Sequence, residues 1–164
     1  MDYFTLFNLP KKIKINKKLL SENFYKLQLT YHPDLFINAS SLQKKNILQK
    51  SIAINKGYKT LKNFLDRAMY LLLLNNININ KKKILSNDNI FLSKYFSLYE
   101  ELDYVQKNKN DQIAFSKLEE KIKNIIKKYK YSIVIELDEK NWTNAEKIIL
   151  ELLFFLKIEK NLKK

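Results

Sequence analysis

The sequence predicts an all-α protein made of two helical units. Three observations carry this. One glycine and two prolines in 164 residues leave few of the tight turns that sheets require. Apolar residues make up 46% of the chain, enough for packed cores and too many for a disordered protein. Those apolar residues recur at spacings of three and four through most of the length. The length suits a compact domain of about 70 residues followed by a second helical unit, each with a modest core.

The elements follow in order. Asp2 to Leu9 reads as a short apolar helix stopped by Pro10. A longer helix begins near Lys17, with Leu20, Phe24, Leu27 and Tyr31 forming one expected buried stripe. It ends before Pro33, because proline disfavours the helical conformation in the residue ahead of it. Asn38, Ser40 and Ser41 offer caps for a third helix, whose stripe runs Ile47, Ser51, Ile54, Tyr58, Leu61. Gly57 sits inside that helix at a cost of about 1 kcal/mol relative to alanine. Its expected role is to admit another helix at close range. Leu65 to Leu74 reads as a fourth, strongly apolar helix. Residues 75–89 change character: they are rich in asparagine, carry Lys81-Lys82-Lys83 and lack periodicity, as expected of a linker between units 1–74 and 90–164.

Three further patterns fill the second unit. Phe91, Tyr95, Leu98, Leu102 and Val105 form the first, and Phe115, Leu118, Ile122, Ile125 and Tyr129 the second. Trp142, Ala145, Ile149, Leu152 and Phe155 form the third. Polar connections near Lys107–Asp111 and Asp138–Asn141 separate them, so a small antiparallel three-helix bundle is expected.

Composition narrows the function. Without cysteine there are no disulfides, no thiol catalysis and no thiolate metal site, and a lone histidine leaves little for zinc. No metal or other cofactor is therefore expected. The longest apolar run, Ala68 to Leu74, is too short to span a bilayer. The opening residues lack a basic stretch followed by an apolar one. The expectation is a soluble cytoplasmic protein with no membrane partner. The formal charge of +14 would suit a polyanion, yet Arg67 is the only arginine among 31 basic residues. Base reading relies on arginine's planar fork, which lysine lacks, so nucleic acid is not expected as a partner. Lysine, asparagine and isoleucine in excess fit the codon bias of an AT-rich genome.

One tripeptide stands out. His32-Pro33-Asp34 joins the single histidine to one of two prolines and one of seven aspartates, in a polar turn between two amphipathic helices. Chance adjacency is about one in two thousand. Proline stiffens the turn, histidine offers a flat donor and acceptor ring, and aspartate supplies a carboxylate to a basic partner. Taken alone, these residues fit either a docking motif or a turn whose side chains bond locally. No companion ligands or nucleophile lie nearby to make His32 a metal ligand or a base.

His-Pro-Asp between two helices resembles the J-domain, the co-chaperone module that stimulates ATPases of the DnaK type. The likeness goes further. Met1-Asp2-Tyr3-Phe4-Thr5-Leu6-Phe7, Leu27-Gln28, Ile54-Asn55, Tyr58, Thr60-Leu61 and Arg67-Ala68-Met69-Tyr70-Leu71-Leu72 resemble the HscB family. In the second unit, Phe91-Leu92 and Glu100-Glu101-Leu102-Asp103 continue the similarity. It implies a non-enzymatic adaptor of iron–sulfur cluster biogenesis, an N-terminal J-domain followed by a three-helix bundle. Its implied partners are an HscA-type, DnaK-like ATPase and the cluster scaffold of the IscU type. His32, Pro33 and Asp34 would then dock on the ATPase, with Lys18 and Lys26 (and Lys17) as a thin basic face. Leu35 stands where the family commonly has lysine. The resemblance assigns the scaffold to Leu92, Phe96, Glu100 and Tyr104, a second stripe at spacing four, and to Phe154 on the last helix. Ser93, Ser97 and Tyr104 depart from the methionine or acidic residues common there, so the expected site is more aromatic and less acidic.

Other functions stay compatible with the residues. The bundle could hold a different client, and a basic nucleic-acid-binding module is the remaining alternative. A metabolic enzyme fits least, since no catalytic constellation or phosphate loop is visible.

Overall fold

The computed structural model describes residues 1–79 and 88–164. Much of the expected linker, including Lys81-Lys82-Lys83, lies outside the described residues. Every regular element among those described is helical: α1 (Tyr3–Leu6), α2 (Lys17–Tyr31), a 3₁₀ turn (Pro33–Phe36), α3 (Ser41–Lys62) and α4 (Phe64–Leu74), then α5 (Asn89–Lys107), α6 (Gln112–Asp138) and α7 (Trp142–Leu162). The all-α expectation is met. The chain divides into two compact units, Met1–Leu74 and Asn75–Lys164.

In the first unit, side-chain caps set the helix starts. Asp2 accepts from the Thr5 amide at 2.9 Å and Asn16 from the Leu19 amide at 3.0 Å. Ser40 and Gln43 form a reciprocal capping box on α3. α2 and α3 run antiparallel, with Gln28 bonded to Asn55 at 2.8 Å and Phe24 stacked on Tyr58 at 4.0 Å between centroids. Gly57 does what its place in the helix implies: a Cβ there would lie 2.8 Å from Tyr3 Cδ1, so α1 crosses α3 where only glycine leaves room. Phe4, Phe7, Leu20, Ile54, Leu61 and Leu72 are fully buried around that crossing.

The stripe of α2 is not uniformly buried. Leu20 is in the core, while Phe24, Leu27 and Tyr31 are half-buried. α1 and α4 close the base of the hairpin, and towards the turn only two helices meet, too few to enclose a side chain. The sole arginine serves this base. Arg67 is buried and donates to the Ile13 and Leu61 carbonyls, each at 2.6 Å. One planar fork thus satisfies the segment before α2 and the end of α3 at once.

The second unit is the expected bundle, α5 antiparallel to α6 and α6 to α7. Lys121 pairs with Glu101 at 2.6 Å, and Tyr129 meets both Glu151 and Phe155. Leu98, Leu118, Ile122, Ile133, Ile149, Leu152, Phe155 and Ile158 form its core. Tyr95, Phe115, Tyr129 and Trp142, expected in the core stripes, are half-buried at its margins. With glycine absent from the turns, Asn8, Asn76 and Lys140 take the left-handed conformation.

Candidate functional site

Two surfaces gather the residues singled out above. The first is the turn after α2. His32 leaves the helix with φ −65° and ψ 130°, the extended conformation expected ahead of proline. Pro33 then opens the 3₁₀ turn, where its missing N–H costs nothing. The Asp34 amide donates to His32 Nδ1 at 3.2 Å, and the Leu35 amide to the His32 carbonyl at 3.0 Å. With Nδ1 accepting, Nε2 is the N–H donor of the neutral ring. The Asp34 carboxylate lies 3.6 Å from Nδ1 and its side chain is 85% exposed, against 52% for His32. Local bonding and outward display therefore coexist: the backbone amide occupies one ring nitrogen and leaves the other ring nitrogen and the carboxylate to solvent.

The basic residues are not all brought to this turn. Lys26 lies six residues before His32, about 9 Å along the helix. Lys18 is at the other end of α2, about 21 Å away, and approaches Glu22 at 4.0 Å. Exposed apolar side chains lie close to the turn in sequence, Leu29, Leu35 and Ile37, with Tyr25 one helical turn further back, and Lys50 sits over the ring of Tyr31 at 4.3 Å. Sequence reasoning overlooked Tyr25, Leu29 and Ile37. Tyr25 and Leu29 sit four apart, off the core stripe, a signal legible in advance.

The second surface lies on α5 and α7. Tyr95 is its hub, with the ring of Phe96 at 5.9 Å, Tyr99 at 5.3 Å, Phe91 at 6.0 Å and, across the helices, Phe154 at 5.3 Å. Phe155 is fully buried against Phe91, whereas the adjacent Phe154 is partly exposed. Phe96 is the most exposed ring of the cluster, and Leu92 beside it is half-buried. Phe154 also borders an apolar groove of about 340 Å³ with Leu150, Leu153 and Lys157.

The expected stripe of four does not stay on one line. Residues four apart advance about 400° around a helix, so the row drifts about 40° at each step. Leu92 and Phe96 flank the cluster, Glu100 turns to solvent, and Tyr104 lies about 120° from Leu92. Its hydroxyl donates to Asp111 at 3.1 Å, which raises the Tyr104 pKa. Tyr95 and Tyr99 were missed as surface residues because Tyr95 keeps the core spacing and Tyr99 lies off the row.

Among the described residues no group of three His, Cys, Asp or Glu could hold a metal ion. None of the described helices is long and apolar enough to cross a membrane.

Comparison with known proteins agrees with this architecture. Residues 87–163 match the family model described as the HSCB C-terminal oligomerisation domain. The chain is 54% identical over 164 residues to the co-chaperone protein HscB of Buchnera aphidicola from Acyrthosiphon pisum (strain Tuc7), covering 100% of this chain and 94% of that one. The structure of the chaperone HscB from Vibrio cholerae is similar with a TM-score of 0.87 at 32% identity, over 99% of this chain and 96% of that one. That of the human co-chaperone HscB is similar with a TM-score of 0.91 at 26% identity, over 99% and 81%. A J-domain-like hairpin with an outward His-Pro-Asp turn, a three-helix bundle and this degree of identity along the whole chain lead to one conclusion: the chain belongs to the HscB family of co-chaperones.

Proposed function

We propose that the two surfaces divide the work of a co-chaperone of iron–sulfur cluster assembly. His32, Pro33 and Asp34 engage a DnaK-like ATPase of the HscA type and stimulate its hydrolysis. Leu92, Phe96 and Phe154, with Glu100 and Tyr104 at the margin, hold an IscU-type scaffold. The chain acts as an adaptor without catalysis of its own, in the cytoplasm. The outward display of His32 and Asp34, on a turn whose sequence and place between two helices resemble the J-domain motif, is the observation that supports this reading.

The chemistry of each contact follows from its residues. At the turn, Asp34 presents a charged acceptor and His32 a donor to a basic groove. Beside them Leu29 and Leu35 offer apolar area, so the contact depends on salt less than a lysine-lined helix would. Lys26 stands within reach of that contact, and Lys18 is better placed for long-range steering than for touch. On the bundle, Phe96 and Phe154 are partly exposed rings on a rigid aromatic base, the arrangement that concentrates binding energy in few residues.

The two activities separate by mutation. His32→Gln is expected to abolish stimulation of the ATPase in single-turnover assays while scaffold binding persists. Leu92→Ala with Phe96→Ala is expected to weaken scaffold binding by about 2 kcal/mol or more, read by calorimetry, with stimulation intact. Full stimulation by the His32→Gln protein would overturn the assignment of the turn.

A further inference from the structure

The bonds that shape the His-Pro-Asp turn are local, but one charged group reaches it from another helix. α3 carries Lys44, Lys45, Lys50, Lys56, Lys59 and Lys62, and no aspartate or glutamate. All six lysines are exposed, and among the described residues none is held in an ion pair. α2, the helix to which the resemblance assigns the basic face, offers three lysines and a glutamate, and Lys18 already approaches Glu22 at 4.0 Å. The larger positive surface of the hairpin is therefore on α3.

Register decides which of those lysines can touch a partner at the turn. α2 and α3 run antiparallel with Gln28 bonded to Asn55, so each step towards the turn on α2 matches a step back along α3. Lys50 falls level with the end of α2, and its Nζ lies 4.3 Å from the ring centroid of Tyr31, the residue before His32. The ring face attracts the ammonium but covers only part of it, so N–H donors stay free. It also narrows the rotamers of a side chain that is costly to immobilise when a partner binds. Lys56, Lys59 and Lys62 recede towards the base, Lys59 by about 13 Å along the helix from Lys50.

We infer that Lys50 is a contact residue for the ATPase: fixed beside the turn by Tyr31, it supplies from α3 the positive charge that α2 barely provides. Its role presupposes the ATPase contact proposed above for the turn. It also defines the partner's surface, which must set a carboxylate for Lys50 next to the cationic site that takes Asp34. Charges of opposite sign read side by side make docking selective, because a surface of one sign repels one of the two groups.

Stimulation of the cognate HscA-type ATPase by the full chain tests this, followed as the concentration for half-maximal stimulation at several salt concentrations. Lys50→Gln is expected to raise that concentration about three- to tenfold at low salt, to flatten its salt dependence, and to reach wild-type stimulation at saturation. Lys59→Gln removes the same charge from the same helix away from the turn, so it reports long-range steering alone and should shift the value by less than about twofold. Lys50→Arg keeps both the cation and the ring contact, and should restore the wild-type value. A lysine that only braced the hairpin would lower the thermal midpoint when replaced and leave the half-maximal concentration unmoved. Equal values for wild type and Lys50→Gln, or equal shifts for Lys50→Gln and Lys59→Gln, would overturn the inference. So would a loss confined to maximal stimulation. Failure of the turn assignment reads differently: there His32→Gln stimulates fully, whereas here His32→Gln abolishes stimulation and only the Lys50 comparison is flat.

Discussion

At the His-Pro-Asp turn the stabilising bonds run between neighbours in the chain, from the Asp34 amide to the His32 ring and from the Leu35 amide to the His32 carbonyl. On the α5 face, by contrast, Tyr95 meets Phe154 from a helix two connections later, and the cap of α5 is tied to α7 through Lys147. The first surface is thus a property of a short peptide held at the end of a hairpin. The second exists only when three helices are assembled. A local motif tolerates change in the body behind it, whereas an assembled face responds to substitutions that never touch the partner.

The largest expected effect sharpens that contrast on the bundle side. Phe155→Ala, at a fully buried ring against Phe91 and Tyr129, should cost about 3–5 kcal/mol in denaturant unfolding and lower scaffold affinity without being part of the surface. Phe154→Ala, one residue away, should cost about 1–2 kcal/mol of stability and lose affinity directly. Equal stability losses at the two positions would break the distinction between core and surface ring.

On the hairpin side the contrast predicts separation. Arg67→Lys replaces a two-armed donor by a point charge, leaving one of the Ile13 and Leu61 carbonyls without its bond, at about 1–3 kcal/mol. Under folding conditions ATPase stimulation should survive, because the turn does not depend on the base. Loss of stimulation in a protein still folded by circular dichroism would show that the base and the turn are coupled. Smallest is Gly57→Ala. Its added Cβ meets the Tyr3 ring at 2.8 Å, and helix propensity offsets part of the strain, for a net loss of about 1 kcal/mol in thermal unfolding.

Much of this was legible beforehand where the signal was local. Pro33 announced the end of α2, Ser40, one of three cap candidates, the start of α3, and Gly57 a close crossing, because caps, proline and glycine act through backbone geometry within a few residues. The distinction between Phe154 and Phe155 was also readable, since adjacent residues on a helix differ by about 100° and only one can hold the core spacing. Burial along α2 was not: Leu20 and Phe24 keep the same period, yet one is enclosed and the other half-exposed according to how many helices surround each. Nor was the rotation of Glu100 and Tyr104 away from Phe96, which an idealised spacing of four conceals.

By itself, then, the sequence determined the helices, the displayed turn and the family, since each depends on residue type and short spacing; the first helix, expected to run to Leu9, ends at Leu6, ahead of the left-handed Asn8. Only the tertiary structure decided that Tyr95 anchors a surface cluster, that Leu20 is enclosed while Phe24 stays half-buried, and that Tyr129 of α6 meets Glu151 of α7. Those facts depend on which helices enclose a side chain, and that arrangement comes from packing between segments distant in the chain.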